Sequence, residues 1–553
     1  MIGVLAGASD EAIVAELFEL FKTPWEFYRS GHSYDAVLCT DADTLASCSA
    51  KAVLVYGGDV LPLDAEHQVR CHSRKSQTVL LHGSARIPVY SRCATFEDQS
   101  CSSLIDEGSQ MPAIWRREEP GQVLIRVGYD LLDEVRRLLT EGQPATFADS
   151  PTLDWHISVL RELILGAGIA LTEIPPLPAG YPFIACLTHD VDHPSLRLHR
   201  WDHTILGFLW RATAGSLLRF FRRRIAARDV LANWKAVCKL LFVQKGLARD
   251  FWRDFAERYA EIEKGLCSTF FVIPFKNHAG VGAEGNAPEF RAAAYGIADI
   301  ADVAARITAS GSEVALHGLD AWKDADRGGA EFEEIRRITG EANIGVRMHW
   351  LYFDPQSPSR LEEAGAIYDS TAGYRETAGY KSGTTQVYRL PSAQRLLELP
   401  MHAMDTALFS PVCLGLSSEQ VTERMQRMTD RAMELGGCLT VNWHDRSLAP
   451  ERLWYRSYRE TVESLKERGA WFATARQAVA WFQKRRAVVF EGGYGSQETG
   501  VRITGEHASD LPALRLRVYE GQRQDKAGSD RDAAYVERCF DQILPADIPC
   551  LVK

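Results

Sequence analysis

Two aspartates stand two residues apart in Thr188-His189-Asp190-Val191-Asp192-His193. On an extended strand such residues point to the same side. Carboxylates held that close repel each other unless a cation or a proton lies between them. One of the pair could bind a metal while the other stays free as a base. The plainer reading is a helix cap or turn, because Asp-x-Asp is common in loops. His317 follows the apolar run Val314-Ala315-Leu316 and precedes Gly318, a good position for a ligand, although a lone histidine is more often a hydrogen-bonded core residue.

Arg347 and His349 alternate along Arg347-Met348-His349-Trp350, so they share a face of an extended segment. Arginine can grip a carboxylate through two N–H groups, and His349 could supply a third ligand. A surface arginine beside a packed histidine is the alternative. His444, in Asn442-Trp443-His444-Asp445, is a candidate general acid, since an imidazole titrates near working pH. Asp405, in the Glu398 to Asp405 segment, could orient and charge it. Hydrogen bonding at a strand end and helix capping are the ordinary roles for these two.

The elements that must carry these residues read as strands and helices in alternation. FIACLTHDVD, CSTFFVIPF, SEVALHG and GCLTVNWHD are apolar strands, the first ending in charge and the last in polar residues, and ADIADVAARITASG is a helix stopped at Gly311. Strand and helix in series predict a parallel sheet closed into a barrel, where reactive groups sit at the carboxyl ends of the strands. Asp190, Asp192, His317 and His444 all fall at such ends. Between Pro194 and Asp250 the chain holds twelve Lys/Arg against three Asp/Glu, much of it apolar and helical. This segment, residues 195–250, reads as a basic helical insertion between the first two barrel strands. It is either a solvated face or, through residues 203–228, a surface for anionic lipid or a lipid-linked sugar.

Residues 1–178 read as a separate α/β domain with strands in IGVLA, YDAVLC and KAVLVYGG and a helix in EAIVAELFELF. The Pro/Gly-rich segment Pro175 to Pro182 marks its end. The barrel domain is expected over 179–484 and a small β-rich module over 485–553. A net charge of -10 argues against a nucleic-acid partner. The 12 cysteines, among them Cys39, Cys48, Cys71, Cys93 and Cys101, form no CxxC and read as reduced thiols. The acidic start without a basic leader, and the lack of an apolar run of 18 residues, lead to the expectation of a cytoplasmic protein, peripheral at a membrane at most.

Taken in order, THDVDH, STFFV, SEVALHG, RMHW, YDST, ELP with Asp405, and NWHD resemble the polysaccharide deacetylase family with the NodB homology domain, over roughly 300 residues. The resemblance implies a distorted (β/α) barrel that uses a divalent metal, zinc by ligand type, to remove an acetyl group from an N-acetylated sugar of a glycan or glycolipid. It implies Asp190 as base, Asp192 and His317 as metal ligands, Arg347 as tether of the base, His444 as acid and Asp405 as the residue that tunes it. The family's second metal histidine, four residues after the first, is here Ala321, and its Asp-Asp pair is spread to Asp190-Val191-Asp192. His349 is the expected replacement ligand and Asp320 the runner-up. Ala321 also leaves open an inactive carbohydrate-binding barrel, and the same fold could cleave a non-sugar amide. A separate metal site from His189, His193, His199 and His203 is a further alternative.

Overall fold

The computed structural model describes residues 1–41, 48, 50–74, 77–98, 103–199, 201–223, 225–491, 499–520, 538–544 and 550–552. Contacts along the chain divide it into two compact units. One holds Met1–Gly180, Tyr380–Pro391 and Ala480–Lys553; the other holds Tyr181–Gly379 and Ser392–Val479.

The first unit is built on a six-stranded sheet. Trp25–Phe27, Ile2–Leu5, Tyr34–Cys39, Ala50–Tyr56 and Gln122–Val127 run parallel, and Ile114–Glu119 closes the edge antiparallel to Gln122–Val127. The three apolar runs read as strands are strands, and EAIVAELFELF is the helix Glu11–Phe21. The C-terminal strands expected from the sequence are also present, at Val488–Glu491, Thr499–Ile503 and Arg515–Glu520. They group with the first unit, and Arg515–Glu520 pairs antiparallel with Leu171–Glu173. Cys101 lies outside the described residues.

The second unit carries the parallel sheet that the strand–helix alternation requires. Its strands are β1 (Ile184–Val191), β2 (Thr269–Val272), β3 (Glu313–Gly318), β4 (Val346–Met348), β5 (Ala403–Met404), β6 (Cys438–Asn442) and β7 (Trp471–Phe472). The order is β4-β3-β2-β1-β6-β5, with β7 paired to the start of β1. Single parallel bridges, Val346 with Asp369 and Asp369 with Glu398, continue the curl beyond β4, and the stretch after Glu398 leads into β5. The result is a distorted α/β barrel.

Every residue of β1 is buried. That explains its near-continuous apolar sequence, because a parallel strand covered on both faces has no polar side. Phe183, Leu187, Phe270, Val314, Leu316 and Leu439 belong to one core cluster around the sheet. The helix expected after β2 is Ala301–Ala309, and Gly311 takes φ +84, a left-handed value that glycine adopts at no steric cost.

The insertion between β1 and β2 forms three helices, His203–Ala212, Ala214–Phe221 and Ala227–Gln244. They share a small core of their own that includes Ile205, Phe208, Leu240, Val243 and Trp252.

Candidate metal centre and catalytic site

The parallel register brings the sequence candidates to one end of the sheet. Asp190 lies at the carboxyl end of β1, His317 at the end of β3, Arg347 in β4 with His349 one residue past it, Asp405 directly after β5, and His444 two residues past β6. β3 and β4 pair His317 with Arg347, and β1 and β6 pair Thr188 with Asn442. Five strands distant in sequence thus place their polar ends together.

Asp192, His317 and His349 form a group whose ligand atoms all lie within 4.8 Å of one another. Among the described residues it is the one cluster of this kind. Asp192 Oδ1 is 3.6 Å from His317 Nε2 and 3.7 Å from His349 Nε2. Those separations are too long for hydrogen bonds and leave room for an ion between the three atoms.

The surrounding bonds fix the ligand atoms. His317 Nδ1 is 2.9 Å from the carbonyl oxygen of Arg347, so it carries the proton and leaves the lone pair of Nε2 toward Asp192. Asp192 Oδ1 is buried with no hydrogen-bond partner. Burial pushes the His349 imidazole down to about 3, so it stands neutral, as a ligand must. The Asp192 carboxyl would be pushed up by burial, but His317 and His444 beside it hold it well below the usual range. An orphaned buried carboxylate oxygen facing two imidazoles fits a divalent ion of the zinc type.

The backbone beyond His349 is constrained. Trp350 and Leu351 both take left-handed φ values, 66 and 52. Non-glycine residues enter that region rarely and at a cost. Arg291, buried, donates from Nη2 to the His349 carbonyl at 2.7 Å and lies against the Tyr352 ring at 4.7 Å. The segment is thereby pinned in the turn that aims His349 at Asp192.

Asp190 occupies a different environment from its neighbour. Oδ1 accepts from Arg347 Nη1 at 2.9 Å and Oδ2 from Asn442 Nδ2 at 2.8 Å. Arg347 is fixed in turn by Thr188 Oγ1, the Ser370 carbonyl and Ser370 Oγ, with its guanidinium 4.3 Å from the Phe271 ring. Burial alone would raise the Asp190 pKa; Arg347, His317 and His444 outweigh it and keep the carboxyl below its ordinary value.

On the other side, His444 Nδ1 is 2.6 Å from Asp405 Oδ1, and the His444 backbone N–H donates to Asp405 Oδ2 at 2.8 Å. Ser447 Oγ also donates to Asp405. Burial works to lower the His444 pKa, but Asp405, Asp192 and Asp190 raise it to about 10. His444 Nε2 lies 3.8 Å from Asp192 Oδ2, facing the cluster.

The runner-up ligand is elsewhere. Asp320 Oδ2 meets His278 Nε2 at 2.7 Å, and its Oδ1 accepts from the Val281 N–H at 2.6 Å. Ala321 packs against the helix Ala325–Thr339 so closely that a Cβ added at Gly328 would lie 2.8 Å from the Ala321 Cβ. The four-histidine alternative does not assemble. His189 is buried between the Trp443 carbonyl and Glu263, and His193 pairs with His199, which pairs with Asp202.

Asn442, Ser370 and Arg291 were given no role by the sequence reading. Asn442 was within reach of it, since it directly precedes the Trp443-His444 pair at the end of an apolar strand. Ser370 lies in the YDST run, which the sequence marks without assigning this residue a role, and Arg291 comes from a segment with no distinguishing local pattern.

The fold and the site together describe a distorted parallel α/β barrel with an aspartate–histidine–histidine cluster and a second carboxylate at its carboxyl end. No family model matches the chain. No curated protein matches it either. Solved structures that align with the chain include one described as a polysaccharide deacetylase from Mycobacterium smegmatis, with 16% identity, TM-score 0.32, and coverage of 56% of this chain and 94% of that one. Another is described as a polysaccharide deacetylase from Pseudomonas aeruginosa PAO1, with 13% identity, TM-score 0.34, and coverage of 55% and 92%. A third, Agd3, described as a carbohydrate deacetylase, aligns over 93% of this chain and 92% of its own with 8% identity and TM-score 0.35. At such scores neither activity nor substrate passes from these proteins to this chain.

Proposed function

We propose that this protein is a metal-dependent hydrolase that removes the N-acetyl group from an amino sugar in a glycan or glycolipid. The observation that carries the reading is the division of labour between two adjacent aspartates. Asp192 faces two imidazoles, whereas Asp190 is engaged by Arg347 and Asn442 and stays outside the ligand group.

Asp192, His317 and His349 would hold the ion. When bound, a divalent ion of the zinc type supplies Lewis acidity, which makes water nucleophilic at neutral pH and polarises a carbonyl. Asp190, kept ionised by Arg347, accepts the proton of the attacking water at Oδ2. Asn442 and Arg347 fix the carboxylate so that this oxygen needs no rearrangement to do so. His444, held protonated by Asp405, delivers a proton from Nε2 to the sugar nitrogen as the amide C–N bond breaks. Water contributes its oxygen to the acetyl carbon, and the products are acetate and a free amino sugar.

The test is acetate release from a panel of N-acetylated sugars and lipid-linked sugars, with and without a chelator. Release that stops with chelator and returns with Zn²⁺ supports the reading. Unaltered release from Asp190→Asn and His444→Ala would show that other groups carry the protons. No release from any substrate, combined with retained sugar binding, would favour a binding protein.

A further inference from the structure

The insertion between β1 and β2 carries a surface that the proposed chemistry does not use. Among the described residues, eleven of the eighteen exposed large apolar side chains lie between Trp201 and Leu247. Scattered exposed apolar residues need no explanation, but a concentration in one segment marks a contact surface.

The helix Ala227–Gln244 shows how the surface is made. Its buried residues, Asp229, Asn233, Ala236, Leu240 and Val243, alternate at spacings of four and three and form the inner face. Leu231, Trp234 and Leu241 are 57%, 46% and 54% exposed, with the exposed Cys238 between them. Their spacing of three, four and three draws a second stripe on the opposite face. The other two helices repeat the pattern in short form. Leu206 and Trp210 are exposed four residues apart, and Leu218 and Phe221 three apart.

Charge decides what covers these stripes. The segment Pro194 to Asp250 holds twelve Lys/Arg and three Asp/Glu in a chain whose net charge is -10. Arg228, Lys235 and Lys239 are exposed on the same helix as Trp234, and Lys245 is exposed just past its end. The three acids are engaged within the protein. Asp202 caps the first helix through the N–H groups of Thr204 and Ile205, Asp229 accepts from Arg456, and Asp250 accepts from Ser195. A second copy docking face to face would set these cations against one another, because a two-fold interface pairs a patch with itself. An anionic lipid surface satisfies both features: tryptophan and leucine suit the boundary between headgroups and acyl chains, and Lys/Arg suit the headgroup charge.

We propose that these three helices form a docking surface for an anionic lipid bilayer, lying in the plane of the interface. Among the described residues no helix is long and apolar enough to cross a membrane. The surface and the candidate site belong to one unit. The insertion leaves from β1, the strand of Asp190. Arg219 donates to the Glu451 carbonyl at 3.0 Å, and Arg446 lies 5.1 Å from the Trp252 ring, so the helices rest on the turn that follows His444. Resting on the deacetylase reading, this arrangement brings the site to an amino sugar carried on a lipid.

Vesicle flotation of the full chain tests the proposal. The probes are vesicles of phosphatidylcholine alone and of phosphatidylcholine mixed with phosphatidylglycerol. Flotation with the mixed vesicles only, weakened by salt, is the expected result. Lys235→Glu with Lys239→Glu should reduce binding at least about 25-fold, since each basic residue near such a surface contributes roughly fivefold. Trp210→Ser with Trp234→Ser should also lose binding. These side chains point outward, so melting temperature and bound zinc should match the unaltered protein; both readouts separate lost docking from a damaged barrel. The proposal is overturned if the chain does not float with mixed vesicles, or if both double variants float as well as it does. It is also overturned if light scattering shows a dimer that the tryptophan variant dissociates, which would assign the face to a second copy.

Discussion

His317 and Arg347 lie opposite one another on β3 and β4, and the Arg347 carbonyl accepts the Nδ1–H of His317 at 2.9 Å. The same arginine reaches Asp190 Oδ1 with Nη1 at 2.9 Å. One residue thus sets the tautomer of a candidate ligand through its backbone and the charge of a candidate base through its side chain. A substitution at 347 therefore alters the base while leaving in place the carbonyl that sets the His317 tautomer.

Replacing Arg347 by Ala leaves Asp190 buried with Asn442 as its remaining partner. The Asp190 pKa should rise and acetate release should fall by about 10²–10⁴-fold, the range expected when a general base is lost. Removing one partner of a buried pair also costs about 3–5 kcal/mol, which urea denaturation would read. Arg347→Lys should rescue neither property, since an ammonium cannot reach Ser370 and Asp190 in the same fork. Activity within twofold of the original in either variant would remove Arg347 from the site.

Metal content should separate the two ligand hypotheses. His349→Ala should lower zinc affinity by more than the roughly 10–100-fold typical of losing an outer partner of a ligand. Asp320→Ala should leave it unchanged, because Asp320 is bound to His278 and the Val281 N–H. Adding Ala321→His to the His349→Ala variant should not restore binding, because position 321 faces Gly328. Titration of the apo-protein with Zn²⁺ checks all three.

The pH dependence follows from His444. Its folded pKa is raised to about 10, above an unfolded value of about 6.5. A raised value means that the contribution of the His444–Asp405 pair to stability is fully present below the unfolded pKa and is lost as pH rises through the folded one. As the acid of the reaction it should stay protonated through neutral pH. Asp405→Asn removes the largest favourable interaction, so the alkaline limb of kcat should move toward neutral pH. A limb that stays in place in this variant would show that another group supplies the proton.

Gly345 tests the strand register that positions Arg347. A Cβ there would lie 2.0 Å from the Tyr368 ring atom Cζ, and Tyr368 is buried with its hydroxyl on Glu313 Oε1 at 2.9 Å. Gly345→Ala should therefore destabilise the protein by about 1–3 kcal/mol, the usual cost of overpacking, or more where the neighbour cannot yield. Chemical denaturation gives the value. A loss under about 0.5 kcal/mol, the range of surface substitutions, would show that the ring moves freely.

The strands and what sits at their ends were legible from local pattern alone. Buried parallel strands must be apolar along their length, so β1, β2, β3 and β6 announce themselves, and the polar residues that break each run mark the carboxyl end of the sheet. Spacing also sufficed to put Asp190 and Asp192 side by side and to show the insertion as basic and helical. Periodicity is a local property, and these features are local.

Which way a side chain turns between distant strands is visible only in the packed molecule. Whether His349 or Asp320 stands beside Asp192 hangs on the left-handed turn at Trp350 and Leu351 and on the partners Asp320 finds in His278 and Val281. Asn442 and Ser370 join the site only because the parallel register sets Asn442 opposite Thr188 and the barrel's curl folds Ser370 against Arg347. The outward stripe of Ala227–Gln244 belongs with them. A helix with apolar residues on two faces does not say which face is covered, and only the packed molecule shows Leu240 inside and Trp234 out.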